Sequence, residues 1–300
     1  MNESTKMNII QTFARGFSLK QLIFFLLIAF FLTSILFPFY WMVSSSFKSY
    51  AEIGGRAPVY IPSALRLEAY QELFDSANAS FQNFGLNILN SLKVSIPTSL
   101  IAVVLSVLGA YAIARLKFKG KNVLLNGVLM VYLLPGVLLI IPLFSMLANL
   151  GDKMGFAVQD NLVVLVITYL AQTLPVAMYM LTNYFRTIPD EIEQAAMIDG
   201  CTRMEVIWRI TLPLAIPALV SVFIYTFMIA WNEFLYAMVF LNSREMFTMP
   251  IKINTIFHDP SPRPHVVMAA STIMTIPVVV LFLALERFLE EGLTSGGVKG

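Results

Sequence analysis

"TIPDEIEQAAMIDGCTRMEVIWRITLP" (Thr187–Pro213) lies between two long apolar stretches and is too polar to sit in lipid. It reads as helix, turn, helix. Pro189 and Asp190 open the first helix, and Glu191 and Glu193 occupy its first turns, where the positive end of the helix dipole favours acids. Ala195 and Ala196 present almost no side chain, so another surface can approach the backbone there. Gly200 ends the helix, since glycine accepts a left-handed conformation at little cost. Met204, Ile207, Trp208 and Ile210 then fall along an apolar face, and Pro213 marks where the next apolar run begins. On these residues alone two readings stand. One is a helix that plugs a cleft in a soluble partner, the other an amphipathic connector lying at a membrane surface.

The flanks decide the class of protein. Of 300 residues 58% are hydrophobic and only 13% charged, with a mean hydropathy of +0.75, where soluble domains sit nearer half apolar and a quarter charged. Six stretches are long and apolar enough to cross about 30 Å of hydrocarbon as helices: Leu22–Val43, Leu92–Ala114, Val123–Leu147, Leu162–Tyr184, Leu214–Leu241 and Val267–Leu289. The first is longer than a signal-peptide core and lacks a small-x-small cleavage site, so it reads as retained. The expected fold class is all-α, a polytopic membrane protein with about six transmembrane helices and one membrane domain. Residues 1–21 form an N-terminal segment, 22–291 the membrane domain and 292–300 a tail.

Lysine and arginine placement sets the orientation. Lys6, Arg15 and Lys20, the compact "RLKFKGK" (Arg115–Lys121), Arg186, Arg203, Arg209, Arg287 and Lys299 fall on one side. Lys48, Arg56, Arg66, Lys93, Lys153, Arg244, Lys252 and Arg263 are spread over longer loops on the other. Both termini and the loop at about 187–213 are therefore expected in the cytoplasm. The segment at about 47–85 is expected outside, where Leu65, Tyr70, Leu73 and Phe74 have helical spacing and Ser63 is placed to cap that helix. It fits both a surface helix packed on the bundle and a docking surface for an external partner. Pro38, Pro97, Pro135, Pro142, Pro175, Pro217 and Pro277 recur in or beside the spans, each removing one backbone donor.

The net charge of +2 is too small to imply nucleic acid, and the single Cys201 excludes an internal disulfide framework. His258 and His265 share a proline-broken loop with no metal-binding spacing. There is no phosphate-cradling GxxxxGK[ST] and no nucleophile–base pair, so the chain itself is expected neither to hydrolyse ATP nor to bind a cofactor. Within the fifth span, "WNEF" places Trp231, Asn232 and Glu233 where a carboxylate is costly and needs a partner, a cavity or a proton. These residues fit ties between helices, and they also fit a substrate path with Trp231 as a stacking face for a sugar ring. Asn87 and Asn90 at the start of the second span fit caps or polar groups of the path.

The opening segment resembles the "EAA" loop of ABC-importer permeases: Ala-Ala, three residues, Gly, nine residues, then Ile-x-Leu-Pro, here Ala195, Ala196, Gly200, Ile210, Leu212 and Pro213. Gln194 stands where that pattern has a glutamate and Glu193 comes one position earlier, so an ion pair with a partner would fall to Glu193 or be absent. "PFYWMVSSSFK" (Pro38–Lys48), "NSLKVSIPTSLIAVVLSVLGAYAIARLKFKGK" (Asn90–Lys121), "AWNEFLYA" (Ala230–Ala237) and "GLTSGGVKG" (Gly292–Gly300) are similar to the carbohydrate-uptake, maltose-permease branch. The resemblance implies a type I ABC importer permease fold in the inner membrane. It also implies a second related permease, an ATPase dimer that binds ATP and magnesium, an extracytoplasmic sugar-binding protein and a carbohydrate substrate. Glu193, Gln194, Ala195, Ala196, Asp199 and Gly200 would form the helix docked on the ATPase, and the tail would reach the ATPase pair as well. The alternative class is an ion-coupled secondary transporter, which would normally show more intramembrane acids and inverted repeats.

Overall fold

The apolar stretches fold as helices because a backbone in lipid must satisfy its own hydrogen bonds. The structure, a computed structural model, describes residues 19–55, 57–75, 81–261 and 263–296. The first eighteen residues and the last four of the tail, both expected in the cytoplasm, lie outside the described residues. Among those described, every regular element is helical. They are α1 (Leu19–Ser46), α2 (Tyr50–Gly54), α3 (Glu68–Leu73), α4 (Phe84–Arg115), α5 (Lys121–Leu133), α6 (Gly136–Met154) and α7 (Leu162–Phe185). There follow α8 (Asp190–Ile198), α9 (Arg203–Val206), a π-helical segment (Ile207–Thr211), α10 (Leu212–Leu214), α11 (Ile216–Asn232), α12 (Leu235–Phe240), α13 (Met249–Phe257) and α14 (Pro264–Gly296). Five of these are long and apolar enough to cross a membrane, and six if the bent pair Arg203–Leu214 and Ile216–Asn232 counts as one span.

Two expected spans are broken. Val123–Leu147 divides at Pro135, which has no N–H to continue the ladder and holds extended backbone (φ −56°, ψ 121°) ahead of α6. Leu214–Leu241 divides at Glu233, again extended (φ −68°, ψ 128°). By contrast Pro38, Pro97, Pro142, Pro175 and Pro277 are carried inside helices.

The chain forms two compact units, one of residues 19–70 with 264–272 and one of 71–263 with 273–296 among those described. In the first, α1 exposes its whole apolar window, as a helix solvated by lipid must. Ser44 Oγ donates to Tyr60 O at 3.0 Å, and Ser46 Oγ pairs with the Tyr70 hydroxyl at 2.7 Å. A capping box opens α2: Ser49 Oγ accepts the Glu52 N–H, and Glu52 Oε2 accepts the Ser49 N–H at 2.8 Å. Ser63 does not cap α3, which begins only at Glu68. Its N–H instead donates to Glu52 Oε1 at 3.0 Å.

Hydrogen bonding from Ser63 first and then Ser49 holds the Glu52 carboxyl down at about 2. With the folded value below the usual 4.5, the contribution is complete above 4.5 and is lost as pH falls from there toward 2. Amide exchange at Ser63, corrected for its intrinsic pH dependence, should stay protected above that window and lose protection through it. Glu52→Gln should abolish the transition.

In the second unit α4 packs against both α7 and α11. One apolar cluster gathers Leu165, Tyr169, Ala237 and Phe240, and another gathers Ala110, Ala177, Leu181, Phe185 and Val222. Small residues allow the close approach that membrane helices depend on. A Cβ at Gly109 would stand 2.7 Å from Met178 Cε. At the end of α7, Arg186 and Thr187 turn the chain into α8.

Candidate functional site

Alpha-helix α8 starts at Asp190 after Pro189, with Asp190, Glu191 and Glu193 in its first turn. It stops as the glycine requires. Gly200 has φ +95°, its N–H reaches Met197 O at 3.2 Å, and the Cys201 N–H reaches Ala196 O at 3.0 Å, the two bonds of a Schellman motif. Its open face carries Glu191, Gln194, Ala195, Met197, Asp199 and Gly200. Ile198 is 86% exposed. Of the two alanines only Ala195 is open, since Ala196 is turned inward. Beyond the turn, Thr202 caps α9 and Glu205 closes its capping box. Its carboxyl lies below the usual value because it accepts first from the Thr202 backbone and then from its hydroxyl. Met204 and Trp208 are exposed while Ile207 is buried. The expected single face is thus split, and the chain widens at Ile207–Thr211, where the Leu212 N–H returns to Ile207 O.

The side of α8 opposite the exposed face is fixed by charge. Glu193 is 5% exposed and accepts from Tyr111 Oη (3.1 Å), Arg115 Nε (3.0 Å) and Thr211 Oγ1 (3.0 Å). Arg115 also donates to Asp190 Oδ1 and to Ile188 O, the latter at 2.8 Å. Of the two expectations, an ion pair with a partner through Glu193 or none, the geometry favours none, since both carboxylate oxygens are bonded within the chain. Gln194, about 100° further around the helix, is exposed.

The expected path residues do not converge. Trp231 is 1% exposed, stacked on Phe227 at 5.6 Å, and donates Nε1–H to Met274 O at 3.1 Å, so its face is not open to a sugar. Asn232 is exposed and its amide donates to Met228 O one turn back. Glu233 accepts from Tyr169 Oη (2.7 Å), Tyr236 N (2.9 Å) and Ala237 N (3.0 Å), which ties α7 to the restart of the chain at α12. Asn87 and Asn90 lie inside α4 and cap nothing. Their amides donate to the carbonyls of Arg244, Glu245 and Phe247. A cavity of about 630 Å³ opens elsewhere, lined by Tyr132, Pro135, Gly136, Pro142, Gln172 and Pro175 among others. Among the described residues Gln172 Oε1 is buried there without a hydrogen-bond partner.

Arg115, Tyr111 and Gln172 carry no weight in the expected site. Tyr111 and Arg115 are four residues apart at the end of a span and so share a face. That spacing, together with the acids Asp190 and Glu193 in the first turn of the next polar helix, is the signal that could have paired them.

Comparison with known proteins gives the family of the chain. The family described as "Binding-protein-dependent transport system inner membrane component" matches residues 102–295, which include the whole of α8 and the Glu193 network. The chain is 43% identical to the inner membrane ABC transporter permease protein YcjP of Escherichia coli (strain K12), over 94% of this chain and 98% of that one. It is 33% identical to the trehalose transport system permease protein SugB of Mycobacterium tuberculosis, over 88% of this chain and 93% of that one. Its fold matches a chain in the crystal structure of a bacterial ABC transporter involved in the import of the acidic polysaccharide alginate. The TM-score is 0.75 at 22% identity, over 90% of this chain and 98% of that one. An all-helical membrane chain with this loop at this position in its sequence thus belongs to the binding-protein-dependent transport system inner membrane components, the non-catalytic permease subunits of ABC importers.

Proposed function

We propose that this permease serves an ATP-driven importer of a carbohydrate, and that α8 is the helix through which a separate ATPase moves it. The single observation that carries the second part is the two-sidedness of α8. Its inner side is locked by Glu193, while Ala195, Met197 and Ile198 stand open on a helix too polar for lipid. Gln194, Asp199 and Gly200 belong to the same open surface, with Glu193 acting behind it. The sugar class is supported by the names of the relatives, which include trehalose, diacetylchitobiose and trehalose/maltose permeases.

In this reading both termini and residues 187–213 face the cytoplasm, and the segments around 47–85 and 244–260 face outward. A second related permease completes the pathway, two ATPase subunits bind ATP and magnesium, and an extracytoplasmic binding protein delivers the sugar. That last partner is supported by an alginate importer of similar fold solved in complex with its periplasmic protein. Within this chain the cavity beside Gln172, rather than Trp231 or Asn90, is the place for contact with substrate.

The test is copurification. The tagged chain, extracted from its own membranes in mild detergent, should bring an ATPase and a second permease with it. Gly200→Val should lose the ATPase while keeping the chain folded. Its Cβ meets nothing within 4 Å, but φ +95° costs a β-branched residue on the order of 1–3 kcal/mol and displaces the turn. A chain that purifies alone, or a Gly200→Val variant that retains the ATPase, overturns the reading.

A further inference from the structure

Both ends of α4 are gripped by parts of the chain distant in sequence. At one end Tyr111 and Arg115 hold Glu193, and Arg115 also holds Asp190 and Ile188 O. At the other, Asn87 Nδ2 donates to Arg244 O (2.9 Å) and Phe247 O (3.0 Å). Asn90 Nδ2 donates to Glu245 O (2.6 Å) and Phe247 O (3.3 Å), and Ser91 Oγ accepts the Met249 N–H at 2.7 Å. Asn87, Asn90 and Ser91 are three and four residues apart, so they form one face, and each is at most 3% exposed. The helix between the two grips is continuous over 32 residues, about 48 Å. Its middle is packed on α7 and α11, which leaves it little room to bend independently.

We propose that α4 is the transmission element of this permease. A displacement of α8 is carried along α4 to residues 244–249, so that the two move as one body, and Arg115 is the positioning residue that fixes α8 to the helix. This rests on the reading of α8 as the helix an ATPase displaces. A rival route is visible in the same network. Thr211 also donates to Glu193, and through the π-helical segment it would pass the motion into α11 instead. Thr211 reaches Glu193 through a single uncharged hydroxyl, whereas Arg115 brings its own positive charge to two carboxylates and a carbonyl. Pairing of opposite charges adds to the hydrogen bonds on the Arg115 side only, so the α4 route should dominate.

The experiment uses the whole importer, purified with its partners and placed in lipid nanodiscs. Spin labels are attached at the exposed positions Glu191→Cys on α8 and Met246→Cys in the gripped segment, in a Cys201→Ser background. Pulsed dipolar spectroscopy reads the distance without nucleotide and with trapped ADP–vanadate. In the parent the mean distance should stay constant to within about 2 Å, well short of the roughly 5 Å of a one-turn slip. In Arg115→Gln the same trapping should change it by about 5 Å or broaden it to that width, because α8 then moves alone. Thr211→Val should behave as the parent does. A parent distance that changes by a full turn overturns the proposal. So does an Arg115→Gln complex whose distance stays fixed, and a shift seen only in Thr211→Val assigns the motion to α11. If Arg115→Gln does not assemble, Tyr111→Phe keeps the ring against Phe185 and removes one bond. A distance distribution in that variant as narrow as the parent's under trapping counts against the link. Docking is scored separately, by cross-linking Ala195→Cys to the ATPase. Its failure in the parent overturns the docking reading, while the label distance still decides whether α8 and residues 244–249 are joined.

Discussion

Glu193→Leu is expected to cost the isolated chain about 3 kcal/mol, the low end for breaking a buried ion pair, since Arg115 keeps Asp190 and Ile188 O. Arg115 and Glu193 side chains are 7% and 6% exposed, so water cannot replace the lost partner. Tyr111 and Thr211 lose their acceptor in the same step. The measure is the temperature at which the detergent-purified chain loses its monodisperse elution, compared with the parent. The double variant Glu193→Leu with Arg115→Met should recover most of that stability, since well-packed apolar groups often replace a buried ion pair at little cost. It should not recover coupling to the ATPase. A single variant as stable as the parent would show that the pair is solvated in the membrane-extracted protein.

The second large effect is expected at Glu233. Glu233→Ala leaves the N–H groups of Tyr236 and Ala237 and the Tyr169 hydroxyl without their acceptor, at about 1–3 kcal/mol for each group that stays buried. Glu233→Gln keeps a carbonyl oxygen at the same reach and should restore a large part of the loss. The pair of variants separates two roles for this carboxylate. Stability that follows the oxygen, with transport following stability, makes Glu233 a fold residue. Normal stability in Glu233→Gln with transport abolished would instead make its charge part of the path.

Much of this molecule can be read from the chain before any coordinates. Gly200 announces a left-handed stop because the helix beside it needs one, and the six apolar runs announce spans because nothing else would solvate them. What hydropathy cannot see is where a single residue interrupts the helical ladder. Pro135 and Glu233 both sit inside runs whose average is apolar, yet each ends a helix, one through an absent N–H and the other by using its side chain to start a new one. Long-range pairing is equally hidden. Arg115 looks like one more positive charge near a membrane surface, and only the fold brings it to Glu193, 78 positions on. Gln194 illustrates the opposite case. The motif directs attention to its position, while the helix turns it outward and gives the inward place to its neighbour.

The grip on residues 244–249 has a consequence for how this protein can change over generations. Asn87, Asn90 and Ser91 hold that segment through its carbonyl and amide groups. Every amino acid except proline supplies the same main-chain groups, so the path of the segment is insensitive to its spelling. Glu245 and Met246, both exposed, can therefore change without disturbing the main-chain grip beneath them. A lineage adapting to a new delivery partner could rewrite that surface one residue at a time, while Asn87, Asn90 and Ser91 stayed as they are.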